Sequence, residues 1–158
     1  MTLGLTVAFF EGVMFLFIFY KTPALTTARV LGGKNDLPPF GMIFACLMSA
    51  MMSGSMLFTL VNSSQKVWVC AGILSTVVAL ASCCLLVVPL SQREMIIFWA
   101  FCLYEACIGL YYPSMGFLKG TIVEDGDRGK IYSAMRLPLN AFVIAALSLT
   151  QEGKSSFS

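Results

Sequence analysis

Residues 105–140 read EACIGLYYPSMGFLK, then GTIVEDGDRGKIY, then SAMRLPLN. Glu105, Gly109, Tyr112, Gly116 and Lys119 follow one another at steps of four, three, four and three. On an α-helix that spacing places all five on one face. The remaining faces carry Leu, Ile, Met, Phe and Cys. Ser133, Arg136 and Asn140 repeat the pattern in the next apolar segment, at steps of three and four. Two apolar helices, each hiding a polar stripe with a charge in it, point to a membrane protein with a lined interior. A charged side chain at the centre of a bilayer helix costs about 2.5–3.5 kcal/mol on insertion scales, so it is rare unless it is paired or functional.

The composition agrees. Of 158 residues, 58% are apolar and 11% charged, which is far from the usage of a soluble domain. There is no histidine, so imidazole acid–base catalysis, Ser-His or Cys-His nucleophiles and His-ligated metals are excluded. No enzyme, cofactor or metal centre is expected. The net charge of +2 and the scattered Lys and Arg residues give no nucleic-acid footprint. Six cysteines, Cys46, Cys70, Cys83, Cys84, Cys102 and Cys107, all fall inside apolar runs, where a thiol acts as a small apolar packing group.

Outward from this stretch, the chain divides into about five expected membrane spans: 3–25, 39–61, 67–89, 95–118 and 131–150. The first is long enough to cross a bilayer and has no basic segment before it, so it reads as a retained span. Pro23 and the threonines after it are expected to end it near residue 25. Pro38-Pro39 suits the entry of the second span. Small residues Ala45, Ser49 and Ser53 in the second span, and Gly72, Ser75, Ala79 and Ser82 in the third, form faces of the kind that let helices approach closely in lipid. The third span carries no charge and is expected to be the most lipid-exposed. Pro113 inside the fourth removes an intrahelical hydrogen bond, which membrane helices tolerate where a neighbour satisfies the freed carbonyl. Pro138 does the same in the fifth. The fold class expected is all-α, a polytopic membrane helical bundle. Five spans is an odd count for a self-contained bundle, and further chain is expected.

Arg136 is the leading candidate site residue. Its guanidinium is permanently charged and offers a planar fork of donors that fits an oxyanion. It lies about 8 Å inside the fifth span, at a rise of 1.5 Å per residue. It either binds an anion, or pairs structurally or snorkels to the surface. Tyr112 lies near the same level on the antiparallel neighbour, and Asn140 shares its face. Glu105 sits roughly 20 Å into its helix and Glu11 about 12 Å into the first span. Each either carries a coupling proton or counter-charge, or is a packing residue held by hydrogen bonds.

Three motifs together resemble a known family. Phe10-Glu-x-x-Met14-x-Leu-Phe-x-Phe19 with Thr22-Pro23-x-Leu25 is similar to the seventh helix of the molybdate-anion transporter family, a branch of the major facilitator superfamily. Gly109-Leu-Tyr-Tyr-Pro-Ser-Met-x-Phe-Leu-Lys119 resembles that family's tenth helix, and Arg136-Leu-Pro-Leu-Asn140 the start of its eleventh. The resemblance implies that residues 1–158 are part of the C-terminal six-helix half of a twelve-helix secondary transporter, spanning helices seven to eleven. It implies molybdate or a related oxyanion as substrate, the lipid bilayer as surroundings, and an N-terminal half or full-length relative as partner. The cell membrane is the expected location. It also places loops 62–66 and 119–130 in the cytoplasm, with 21–38 and 90–94 outside, where charge counting alone is a tie.

Two other readings follow from the residues. One is a non-transporting scaffold or regulator that binds a full-length relative through the small-residue faces. The other is a copper(I) channel built on Met48, Met52 and Met56, whose thioethers suit a soft cation.

Overall fold

The computed structural model describes residues 2–34, 36–62, 66–91, 93–122, 140, 141 and 144. Four long helices make up nearly all of this: α1 (Thr2–Leu31), α2 (Phe40–Val61), α3 (Val67–Leu90) and α4 (Glu94–Ile122). No strand occurs among the described residues. All four helices are long and apolar enough to cross a membrane, because each supplies a run of about twenty or more predominantly apolar residues, the length a bilayer demands. The expected fifth span, 131–150, lies largely outside the described residues, and so do Arg136 and Pro138.

α1 runs past its expected end near residue 25 and reaches Leu31. Pro23 stays inside it. A proline costs its helix one hydrogen bond, while leaving the helix inside lipid would strand many backbone groups. The stop comes from Gly32-Gly33. Gly33 adopts φ 78°, the left-handed conformation that glycine enters without steric cost. Its amide donates to Val30 O at 3.0 Å and that of Lys34 to Arg29 O at 3.2 Å, which together form a Schellman cap. α4 likewise extends to Ile122, so Lys119 falls in its last turn, where a cation complements the helix dipole.

Residues 2–22 and Pro23–Val123 fall in separate packing units. In the first, Phe10, Met14 and Phe17 are buried at helical spacing and Glu11 is half-buried. In the second, α4 packs on both α2 and α3. The buried side of α3 is Cys70, Leu74, Val77, Ala81 and Cys84, spaced four, three, four and three. The buried positions of α2 are Leu47 and Gly54.

One expectation about exposure is corrected. Among the four described helices the least covered is α2, with 11% of its most apolar stretch buried against 22% for α3 and 50% for α4. The small-residue faces lie open: Ala45, Ser49, Ser53, Gly72, Ser75, Ala79 and Ser82 are not among the buried positions of α2 and α3. In lipid both sides of a helix are apolar, so hydropathy does not separate the packed side from the open one.

Candidate functional site

α4 carries three of the candidate residues, Glu105, Tyr112 and Pro113. Its core-facing side buries Tyr104, Cys107, Ile108, Tyr111, Ser114 and Met115, and it carries a carboxyl in the middle of an otherwise apolar helix. Glu105 is 4% exposed. Neither it nor Glu11 lacks an interaction partner.

The expected polar stripe of α4 divides in two. Glu105 and Gly109 are buried, Lys119 is half-buried, and Tyr112 and Gly116 are exposed. The division follows from where α2 crosses. A Cβ on Gly54 would stand 2.1 Å from Ala106 O, and one on Gly109 would stand 2.0 Å from Met51 O. Backbone therefore touches backbone at this crossing, and only glycine fits on either side. Beyond it, among the described residues, nothing comes within 4 Å of a Cβ on Gly116, and Tyr112 is 46% exposed with its ring edge-on to Tyr111.

The crossing also resolves the break made by Pro113. The amide missing from residue 113 would have donated to the carbonyl of Gly109, four residues earlier. Ser55 Oγ on α2 donates to that carbonyl at 3.0 Å. Two further bonds hold the segment after the break. Ser114 Oγ donates to Leu110 O at 2.7 Å, and Cys70 Sγ on α3 donates to Ser114 O at 3.2 Å. The expectation that a neighbour must serve the freed carbonyl is met by a named donor.

A second polar cluster has no counterpart among the sequence expectations. Arg29, in the last turn of α1, donates through Nη1 to Glu94 Oε1 at 2.6 Å and through Nε to Asp36 O at 3.0 Å. It also pairs through Nη2 with the Asp36 carboxylate. Lys34 Nζ reaches Glu94 Oε2 at 3.3 Å. The cluster ties the last turn of α1, the following loop and the first turn of α4. Its signal is present in the sequence but needs the true end of α1: a helix stopped at residue 25 leaves Arg29 in a loop. Arg29 holds the Asp36 carboxyl below its ordinary range, chiefly through the side-chain hydrogen bond. A carboxyl lowered on folding stabilises the loop above its unfolded pKa of about 3.9 and loses that effect as pH falls through the lower folded value. Amide exchange in residues 32–37, corrected for intrinsic rate, is therefore expected to stay slow at neutral pH and to accelerate in strong acid. Asp36→Asn is expected to remove the dependence. Exchange independent of pH in the native chain would show that the pair does not hold the loop.

The remaining candidates are placed as follows. Asn140 is helical and exposed. Met48 is half-buried, whereas Met52 and Met56 are 62% and 66% exposed. Among the described residues no group of three His, Cys, Asp or Glu side chains is arranged to hold a metal ion. All six cysteines are free thiols, with Cys70, Cys84, Cys102 and Cys107 buried.

Comparison with known proteins decides the family. A family model described as sugar transporters with 12 transmembrane segments, of the major facilitator type, matches residues 1–107. The chain belongs to this family. Within it, the chain is 33% identical over 154 residues to the molybdate-anion transporter of Takifugu rubripes, covering 94% of this chain and 30% of that protein. It is 34% identical to the molybdate-anion transporter of Danio rerio over the same shares. The Xenopus tropicalis relative is 33% identical over 152 residues, covering 93% of this chain and 31% of its own. The chain thus spans about 30% of the length of these relatives. No solved structure matches. The family resemblance carried by the three motifs is borne out, and it is a family of membrane transporters rather than enzymes.

Proposed function

We propose that this chain forms part of a secondary transporter that moves an oxyanion, molybdate first among them, across the cell membrane. The observation that carries the reading is its 33–34% identity over 94% of the chain to proteins named molybdate-anion transporters. The buried Glu105 in a membrane-length helix supports it, since a carboxyl at that depth is rare unless it is paired or functional. On the strength of the three motifs, α1 to α4 correspond to helices seven to ten of a twelve-helix carrier, and 131–150 to the eleventh. Arg136, Tyr112 and Asn140 are the proposed substrate contacts, with Glu11 and Glu105 as counter-charge or proton carrier. Pro113 and Pro138 are the proposed bends. An N-terminal half and a twelfth helix are the proposed partners.

A second reading is supported by the open faces of α2 and α3. Ser53 and Gly72 are exposed, among the other small residues left off the buried sides, and they offer a surface on which a full-length relative could pack, making the chain a scaffold or regulator. One experiment separates the two. Alternating access needs two halves around a shared path. Expressed alone in cells without their own molybdate transporter, this chain is expected to give no uptake. Expressed with a matching N-terminal half and twelfth helix, it is expected to restore uptake. Uptake by the isolated chain would overturn the half-carrier reading. Suppression of a full-length relative's uptake, without restoration by the added halves, would favour the scaffold.

A further inference from the structure

Four charged side chains meet where α1 ends and α4 begins, and they are unevenly shared. Arg29 serves two carboxylates, Asp36 in the loop and Glu94 in the first turn of α4. Glu94 serves two cations, Arg29 at 2.6 Å and Lys34 at 3.3 Å. The Arg29–Asp36 pair stays within the corner formed by α1 and its loop. Among the described residues, both ion pairs that reach α4 from that corner go through the one carboxylate of Glu94.

The cluster stands at the rim of the packed structure. Leu25 and Ala28 are buried on α1, whereas Val30 and Leu31 in its last turn are exposed, as is Met95 beside Glu94. The side chains of Arg29 and Glu94 are 13% and 20% exposed, and those of Asp36 and Lys34 are 69% and 58%. Water therefore reaches the outer partners of the central pair.

Releasing Glu94 strands none of the four charges. Arg29 keeps Asp36. Lys34, already exposed, is taken up by water. Glu94 remains in the first turn of α4, where the helix dipole favours a carboxylate. With Glu94 engaged, two carboxylates bracket one guanidinium, and like charges held so near disfavour each other. The engaged cluster gains an ion pair and the released one loses a repulsion. An element with two satisfied arrangements is what a conformational switch requires.

We propose that Glu94 is the catch of a two-position strap across the neighbouring ends of α1 and α4, closed when it holds Arg29 and open when Arg29 keeps Asp36 alone. Asp36 is then the partner that receives Arg29 on opening, not a further fastening. The use of the strap as a gate at this end of a substrate path rests on the carrier function proposed above. The two positions themselves do not.

The test is a distance across the strap in the whole chain, held in lipid nanodiscs. Spin-labelled amino acids at the exposed positions Val30 and Met95 flank Arg29 and Glu94 by one residue each. The native chain is expected to give two distances, the shorter one dominant. Glu94→Gln is expected to make the longer one dominant. Asp36→Asn is the deciding variant. It removes both the partner that receives Arg29 and the like charge that opposes closing, so it is expected to cut the share of the longer distance at least twofold. A passive tie behaves in the opposite way, because any lost ion pair loosens it. A longer-distance share that holds or rises in Asp36→Asn would overturn the strap, and so would an unchanged distribution in Glu94→Gln. These distances need no transport, so the strap can fail while the uptake experiment above succeeds, and the reverse.

Discussion

Gly109→Leu is expected to lower the stability of the α2–α4 pair by about 3 kcal/mol or more, the upper end for overpacking a close contact. The first atom it adds would sit 2.0 Å from the Met51 carbonyl oxygen and 3.1 Å from the amide nitrogen of Ser55. Those atoms belong to helical backbone and cannot swing aside as a flexible side chain can. Relief requires the helices to part. Parting them also removes the Ser55 bond to Gly109 O, leaving the carbonyl freed by Pro113 without its donor. Gly54→Leu is expected to act alike, since its first added atom would meet Ala106 O at 2.1 Å. Gly116→Ala on the same helix serves as the control. Among the described residues nothing lies within 4 Å of its Cβ position, and in a helix interior alanine is favoured over glycine by about 0.5–1 kcal/mol. Thermal unfolding in detergent, or abundance in the membrane, measures the difference. Equal stability of the Gly109 and Gly116 variants would show that the two helices are not in backbone contact.

This crossing also shows how far the sequence can be read. The spans are legible because lipid demands about twenty predominantly apolar residues in a row and the chain supplies such runs between short polar turns. Pro113 is legible as a break needing an external donor, because its missing amide is a property of the residue itself. The identity of the donor is not. Ser49, Ser53 and Ser55 are chemically alike, and only the packing of α2 on α4 decides that Ser55 is the one that meets Gly109. The contact point on α2 is hidden in the sequence for a related reason. α2 presents Ala45, Ser49 and Ser53 on one side and Gly54 on another, and a stripe of three small residues outweighs one glycine in the pattern. In a close crossing a single glycine at the contact point counts for more, since it removes the only atom in the way. The end of α1 is missed because Pro23 reads as a stronger stop than Gly32-Gly33. That difference moves Arg29 into a loop and hides its pairing with Glu94. The candidate site is legible only in part. Glu105 stands out as a charge at depth and is buried on α4, while Tyr112, on the same expected stripe, is exposed.

The largest functional effect is expected at Arg136, a residue singled out by the sequence pattern. In a protein completed by its N-terminal half and twelfth helix, Arg136→Gln is expected to abolish molybdate uptake while leaving the protein folded and delivered to the membrane. A tetrahedral oxyanion carries its charge on oxygens that a guanidinium meets with paired, planar donors. Glutamine offers neither the charge nor the fork. Arg136→Lys keeps the charge and loses the paired donors, and is expected to weaken apparent affinity about tenfold, equivalent to about 1.4 kcal/mol. The competing role is structural, with Arg136 neutralising Glu11. Both lie inside expected spans, at depths of about 8 and 12 Å from the same face at 1.5 Å per residue. A structural pair responds differently to mutation, because removing one partner leaves an uncompensated charge in apolar surroundings. In that case Arg136→Gln lowers abundance rather than uptake per molecule, and adding Glu11→Gln restores it. Uptake and membrane abundance measured together on the single and double variants separate the roles. Near-normal uptake in the double variant would sink the anion-site reading. Normal uptake in Arg136→Gln alone would sink both, leaving a side chain that reaches the aqueous surface along its own apolar stem.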